Sequence, residues 1–213
     1  MFVLHLPAFP VLTIFLAFIL WATVKRKLAE QEEKKKTDAF WEREYAANQV
    51  RKKDLSNLDY IKIQTSRLPI KSNPPAGWEQ TILELADQPI VNLNEYTNTD
   101  LKLKYGVANL EYLSVCDQNY VTLIKTMYEW GKELYEQGNV TDALTVLEEG
   151  IQYGTDIRGH YTLLASIYQE QGKNFMIEEL IRRISQINSP MKDSILRSLN
   201  SLMKEAVDSS DSP

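Results

Sequence analysis

A single cysteine and two histidines in 213 residues remove whole classes of chemistry at the outset. Cys116 alone cannot form an intramolecular disulfide framework or a C-x-x-C motif, and its isolation favours a reducing compartment. His5 and His160 lie too far apart in sequence for H-x-x-x-H or H-E-x-x-H, and no glycine-rich phosphate loop is present. No metal, no cofactor and no catalysis are therefore expected. Only eight glycines and eight prolines punctuate the chain, which with abundant Leu, Glu, Lys and Gln predicts an all-α protein.

Charge of one sign is also missing from one stretch. No formally charged side chain occurs from Phe2 to Val24, and Phe9 to Val24 is almost wholly apolar. Twenty-three residues rising ~1.5 Å each would cover ~34 Å, enough for a hydrocarbon core of about 30 Å. Residues 1–24 are therefore expected to be a transmembrane anchor in contact with the lipid bilayer through 2–24. A cleavable signal would place basic residues before the apolar run and a small-x-small site after it. Here Lys25-Arg26-Lys27 follow the run, which favours a retained anchor with Trp21, Lys25, Arg26 and Lys27 at the membrane interface. The basic flank then predicts a single-pass protein of the cell membrane, amino terminus outside and carboxyl-terminal domain cytosolic.

Residues 25–56 read as a charged juxtamembrane helix. Glu30, Glu32 and Glu33 precede Lys34, Lys35 and Lys36 at spacings that support a solvated helix, with an aromatic pair at Trp41 and Tyr45. The overall charge of -5 is uneven: Lys25 to Lys53 carries +4, and Asp54 onward carries -9. An acidic domain of that kind excludes nucleic acid as the expected partner. Residues 57–96 form an irregular linker by composition, with Ser72-Asn73-Pro74-Pro75-Ala76-Gly77 and a short helix from Trp78 to Ala86. Its Tyr60 to Ile63 segment is expected either to lie as a strap in the groove of the following domain, filling it, or to pack on the end of that domain and cap it.

From Ile124 to Pro190 one pattern is written twice at a shift of 34 residues. Gly138 falls on Gly172, Gly131 on Ala165, Leu134 on Tyr168, Ala143 on Ile177, Leu147 on Ile181 and Gly150 on Ile184. Each copy predicts two helices around a glycine turn. The run Trp130-Gly131, Leu134, Gly138, Ala143, Leu147, Gly150 resembles a tetratricopeptide repeat (TPR). The second copy matches at Leu164-Ala165, Tyr168 and Gly172, but carries Ile177 and Ile184 where the family pattern has small residues. Its Pro stands at 190.

The resemblance implies a TPR-like helical-hairpin domain over 97–206, with a weak pair before the repeats, a capping helix from Met191 to Val207 and a polar tail at 207–213. It also implies a groove on the first helix of each pair that holds a protein or peptide partner. The corresponding positions here are Lys125, Tyr128, Lys132, Tyr135, Thr162, Ser166 and Gln169. The chaperone-tail members of the family use paired Lys and Asn there, whereas this chain has Tyr128 and Lys132. The functional expectation is a membrane-anchored adaptor or scaffold acting on the cytosolic side. An exported, membrane-tethered repeat protein assisting envelope assembly or secretion is the alternative. A hydrolase using Cys116 with His160 stands behind both. Asn139-Val140-Thr141 matches a glycosylation sequon but falls at a turn expected to be cytosolic.

Overall fold

A computed structural model describes residues 8–72, 74 and 77–210, with side chains from 12 to 204 within that span. Among the described residues there are eight α-helices and no strand. The first, α1, runs unbroken from Ala8 to Asn48. The expected anchor and the expected charged helix are thus one rod, and the membrane expectations require correction. Within the described residues, the apolar part of α1 covers only 8–24 before Lys25. Seventeen residues rise ~25 Å, short of a hydrocarbon core of about 30 Å. Among the described residues no helix is long and apolar enough to cross a membrane. The single-pass crossing at 1–24, and the membrane localisation and sidedness drawn from it, are overturned; residues 2–7 of that expectation lie outside the described residues. Trp21, Lys25, Arg26 and Lys27 are exposed along α1, with Arg26 Nε donating to Glu30 Oε1 at 2.7 Å.

The carboxyl-terminal third of α1 docks on α3, Asn98–Tyr105. Ala47 is fully buried there, Arg43 pairs with Asp100 at 2.5 Å, and Lys102 pairs with Glu44. A capping box starts α3: the Thr97 hydroxyl accepts from the Asp100 N–H, and the Asp100 carboxylate accepts from the Thr97 N–H.

Residues 61–72 form a strap, irregular apart from a single 3-10 turn at Thr65–Arg67. Ile61 N donates to Ile90 O at 2.9 Å, and Ile61, Ile63 and Ile70 pack on a core shared by α2, Trp78–Ala86, and α4, Leu110–Glu136. Further along, the strap meets α5, Val140–Gln152. Gln64 N donates to the Tyr153 hydroxyl just beyond that helix, Arg67 pairs with Glu149 at 3.2 Å, and Lys71 pairs with Asp142. The segment therefore ties α2 and α4 to α5.

Of the weak helical pair expected before the repeats, α3 occupies the place of the first helix, while the second is not separate but the start of α4, which runs on into the first repeat. Asp117, Gln118 and Asn119 do not interrupt it, because Asn119 donates to Pro89 O at 2.9 Å and Tyr120 is fully buried. Two hairpins follow, α4 with α5, and α6, Arg158–Glu170, with α7, Asn174–Gln186. Both turn the same way. Gly138 and Gly172 sit at φ +78° and +67°, where a Cβ would be strained. The Asn139 N–H reaches Leu134 O as the Lys173 N–H, 34 residues on, reaches Tyr168 O, each at 2.8 Å.

The hairpins share a core of Leu147, Leu164, Ala165, Tyr168, Ile177 and Ile184, closed by Ile195 and Leu199 of α8, Lys192–Ser210. Burying a Leu- or Ile-sized side chain contributes roughly 1.5–3 kcal/mol, so this layer dominates the stability of 140–200. Ile177 and Ile184, where the repeat pattern has small residues, are fully buried. Their bulk is accommodated because α7 also packs on α8.

Candidate functional site

The first helices of the two hairpins, α4 and α6, present the residues singled out from the repeat. Lys125, Tyr128, Lys132 and Tyr135 recur at steps of three, four and three, which aligns them as one stripe on α4. Thr162, Ser166 and Gln169 do the same on α6. Lys125 and Lys132 are exposed, and the other five are half-buried. Two rungs join the stripes. The Tyr135 hydroxyl donates to Glu170 Oε1 at 2.7 Å, a bond that with partial burial raises the pKa of that hydroxyl. At the other end, Tyr128 lies over the start of α6, and its hydroxyl occupies the space that a Cβ on Gly159 would need, 2.6 Å away.

Other side chains on α6 turn inward. Thr162 Oγ1 donates to Gly159 O at 3.2 Å and Ser166 Oγ to Thr162 O at 3.0 Å, so both hydroxyls are already engaged by their own helix. Lys132 Nζ lies 3.8 Å from Glu136 across one helical turn, a loose exposed pair that contributes little to stability. What the face offers a ligand is consequently two ammonium groups, two tyrosine rings, the Gln169 amide and the Glu170 carboxylate.

Gly159 and Glu170 were not singled out in the sequence, although the signal was present. Adding 34 to Lys125 lands on Gly159, and adding 34 to Glu136 lands on Glu170. The glycine takes no part as a side chain; its role is to admit the Tyr128 ring.

His160 lies beneath this face. It is fully buried between α5 and α6, its Nε2–H donates to Leu147 O at 2.8 Å, and its ring fills the space above Gly150, where a Cβ would stand 2.5 Å from Nε2. Because Leu147 O can only accept, the proton sits on Nε2, and Nδ1 is left without a hydrogen-bond partner. Burial lowers the imidazole pKa to about 4, opposed by the Leu147 hydrogen bond.

The structure does not assemble Cys116 and His160 as a nucleophile and base. Cys116 is buried among Val91, Leu93, Leu101 and Leu113, and burial raises its thiol pKa. Tyr128, whose ring centroid is 6.1 Å from that of His160, stands twelve residues further along α4, a rise of ~18 Å. An imidazole with one nitrogen engaged and a depressed pKa is also a poor general base at neutral pH.

The chain matches no protein-family model, and comparison with curated proteins and with solved structures finds no match.

Proposed function

We propose that the α4–α6 face is a peptide-binding surface and that the helical hairpins, TPR-like in pattern, serve as an adaptor or scaffold for a protein partner. The reading is one of binding without catalysis. One observation carries it: a 34-residue repeat of side chains coincides with two adjacent helices whose stripes are bridged by Tyr128 over Gly159 and by Tyr135 to Glu170. Half-buried tyrosines held from below contribute contact area at small entropic cost, and flanking lysines favour a peptide with acidic groups.

The test is a display selection of peptides on the full chain, followed by affinity measurements on Tyr128→Ala/Lys132→Ala/Tyr135→Ala and on Arg182→Ala, a change on the exposed side of α7. Loss of about 1–2 kcal/mol per tyrosine anchor predicts at least a tenfold weakening in the triple variant. Arg182→Ala should bind as the parent does. A Lys132→Glu/Tyr135→Phe variant, which preserves the packed rings, guards against loss of fold and should also bind acidic peptides less tightly. Selected peptides that bind all of these variants equally would refute the assignment.

A further inference from the structure

The contact that joins α1 to the rest of the molecule is made by charge more than by packing. Along α1 from Leu12 onward, Ala47 alone has a buried side chain, and it supplies one methyl group. Phe40, Trp41 and Tyr45, the large side chains of the docked third, are all more than half exposed. Where apolar closure would otherwise hold the helix, between α1, α3 and the amino-terminal half of α4, an open cavity of about 710 Å³ remains. Two ion pairs do the joining. Arg43 Nη2 donates to Asp100 Oδ1 at 2.5 Å, and Glu44 pairs with Lys102 while accepting from Thr99 Oγ1 at 2.8 Å. The Glu44 and Lys102 side chains are largely covered, so removing one charge strands the other.

The chain just beyond α1 is fixed independently of these pairs. Arg51 O occupies the space that a Cβ on Gly106 would need, 2.4 Å away, and Lys53 N donates to Tyr105 O at 3.0 Å. The buried Asn109 amide donates both to Lys53 O at 2.8 Å and to Tyr105 O at 2.7 Å. Between this anchor and the end of α1 at Asn48 lie Gln49 and Val50, whose N–H groups return to Ala46 O and Ala47 O of α1 itself. A rigid helix thus meets a fixed segment across a few residues, the arrangement of a hinge. Trp21 stands ~39 Å along the helix from Ala47, so a small rotation there carries the exposed apolar residues 12–24 a long way.

We infer that α1 is a hinged arm, pivoting at residues 48–50 and latched to α3 by the Arg43–Asp100 and Glu44–Lys102 pairs, and that ionic strength sets the latch. The more exposed pair, Arg43–Asp100, is screened first, and Glu44–Lys102 yields as water enters beside it. Release leaves the hairpins in place, because Ala47 belongs to none of their cores. The device does not depend on the peptide-binding reading of the α4–α6 face.

The experiment measures spin-label distances in the full chain, with labels at Lys36→Cys on α1 and Gln118→Cys on α4, both exposed, and Cys116→Ala removing the native thiol. A narrow distribution is expected at low ionic strength, gaining a broad component at 1 M salt, where the screening length falls to about 3 Å. Glu44→Gln/Asp100→Asn should be broad already at low salt. Glu44→Lys should be broad as well, and Glu44→Lys/Lys102→Glu should restore the narrow distribution, which a merely misfolded variant would not do. The latch would be overturned by a distribution that stays narrow in Glu44→Gln/Asp100→Asn or at 1 M salt, by failure of the reversed pair to restore it, or by equal broadening in Phe40→Ala/Trp41→Ala with the ion pairs intact.

Discussion

Acid should weaken this fold in part through one buried side chain, and replacing His160 should remove that part of the effect. In the native protein the imidazole is fully buried, with a pKa lowered to about 4 by loss of solvent. In the unfolded chain it returns to an ordinary value near ~6.5. The unfolded state therefore binds the extra proton first as pH falls. The stabilising contribution of a neutral His160 is complete above about pH 6.5 and declines until the native imidazole itself protonates near pH 4. The full span is about 3 kcal/mol, and by the linkage relation about 2 kcal/mol of it is lost by pH 5. No compensating bond forms on protonation, since Nδ1 has no acceptor within reach. Urea unfolding of the full chain and of His160→Gln at pH 7.5, 6, 5 and 4.5 measures this directly. Glutamine cannot titrate and retains a donor for Leu147 O, so the parent should lose about 2 kcal/mol relative to the variant between pH 7.5 and pH 5. Parallel stability curves for the two proteins across that interval would refute the account.

Two further outcomes follow from the same packing. Gly150→Ala places a Cβ against the His160 ring and should cost about 1–3 kcal/mol, read as a lower urea midpoint at unchanged slope. The cost should shrink in the background of His160→Ala, where the ring is gone. Cys116 is fully buried with a raised thiol pKa, so it should react with a disulfide reagent only as fast as the protein opens; rapid labelling under native conditions would contradict that burial.

Much of the carboxyl-terminal architecture was legible because local and tertiary preferences agree there. The glycines at 138 and 172, the apolar stripe through Ala143 and Leu147, and that through Leu164 and Tyr168 each serve both the helix period and the core. The amino-terminal reading failed for a reason of scale. Among the described residues the apolar length of α1 ahead of Lys25 is too short to span a bilayer, a matter of length that apolar composition alone does not measure. The unity of α4 was hidden because the repeat pattern begins only at Ile124, while the partner that satisfies Asn119, Pro89 O, is remote in sequence. Part of the α4–α6 face was present in the repeat itself: the step from Lys125 to Gly159 marks where the Tyr128 ring overlies the next hairpin.

The strap of residues 61–72 carries a penalty during synthesis. Arg67 leaves the ribosome 82 positions before its partner Glu149, and Gln64 leaves 89 positions before Tyr153. At translation speeds of roughly 5–20 residues per second, those groups wait on the order of 4–18 s for α5 to emerge. Until α5 emerges, the core beneath Ile61, Ile63 and Ile70 also lacks Val146. A nascent chain halted just before residue 140 should accordingly be cut by protease near Arg67, and one released a few dozen residues later should be protected there.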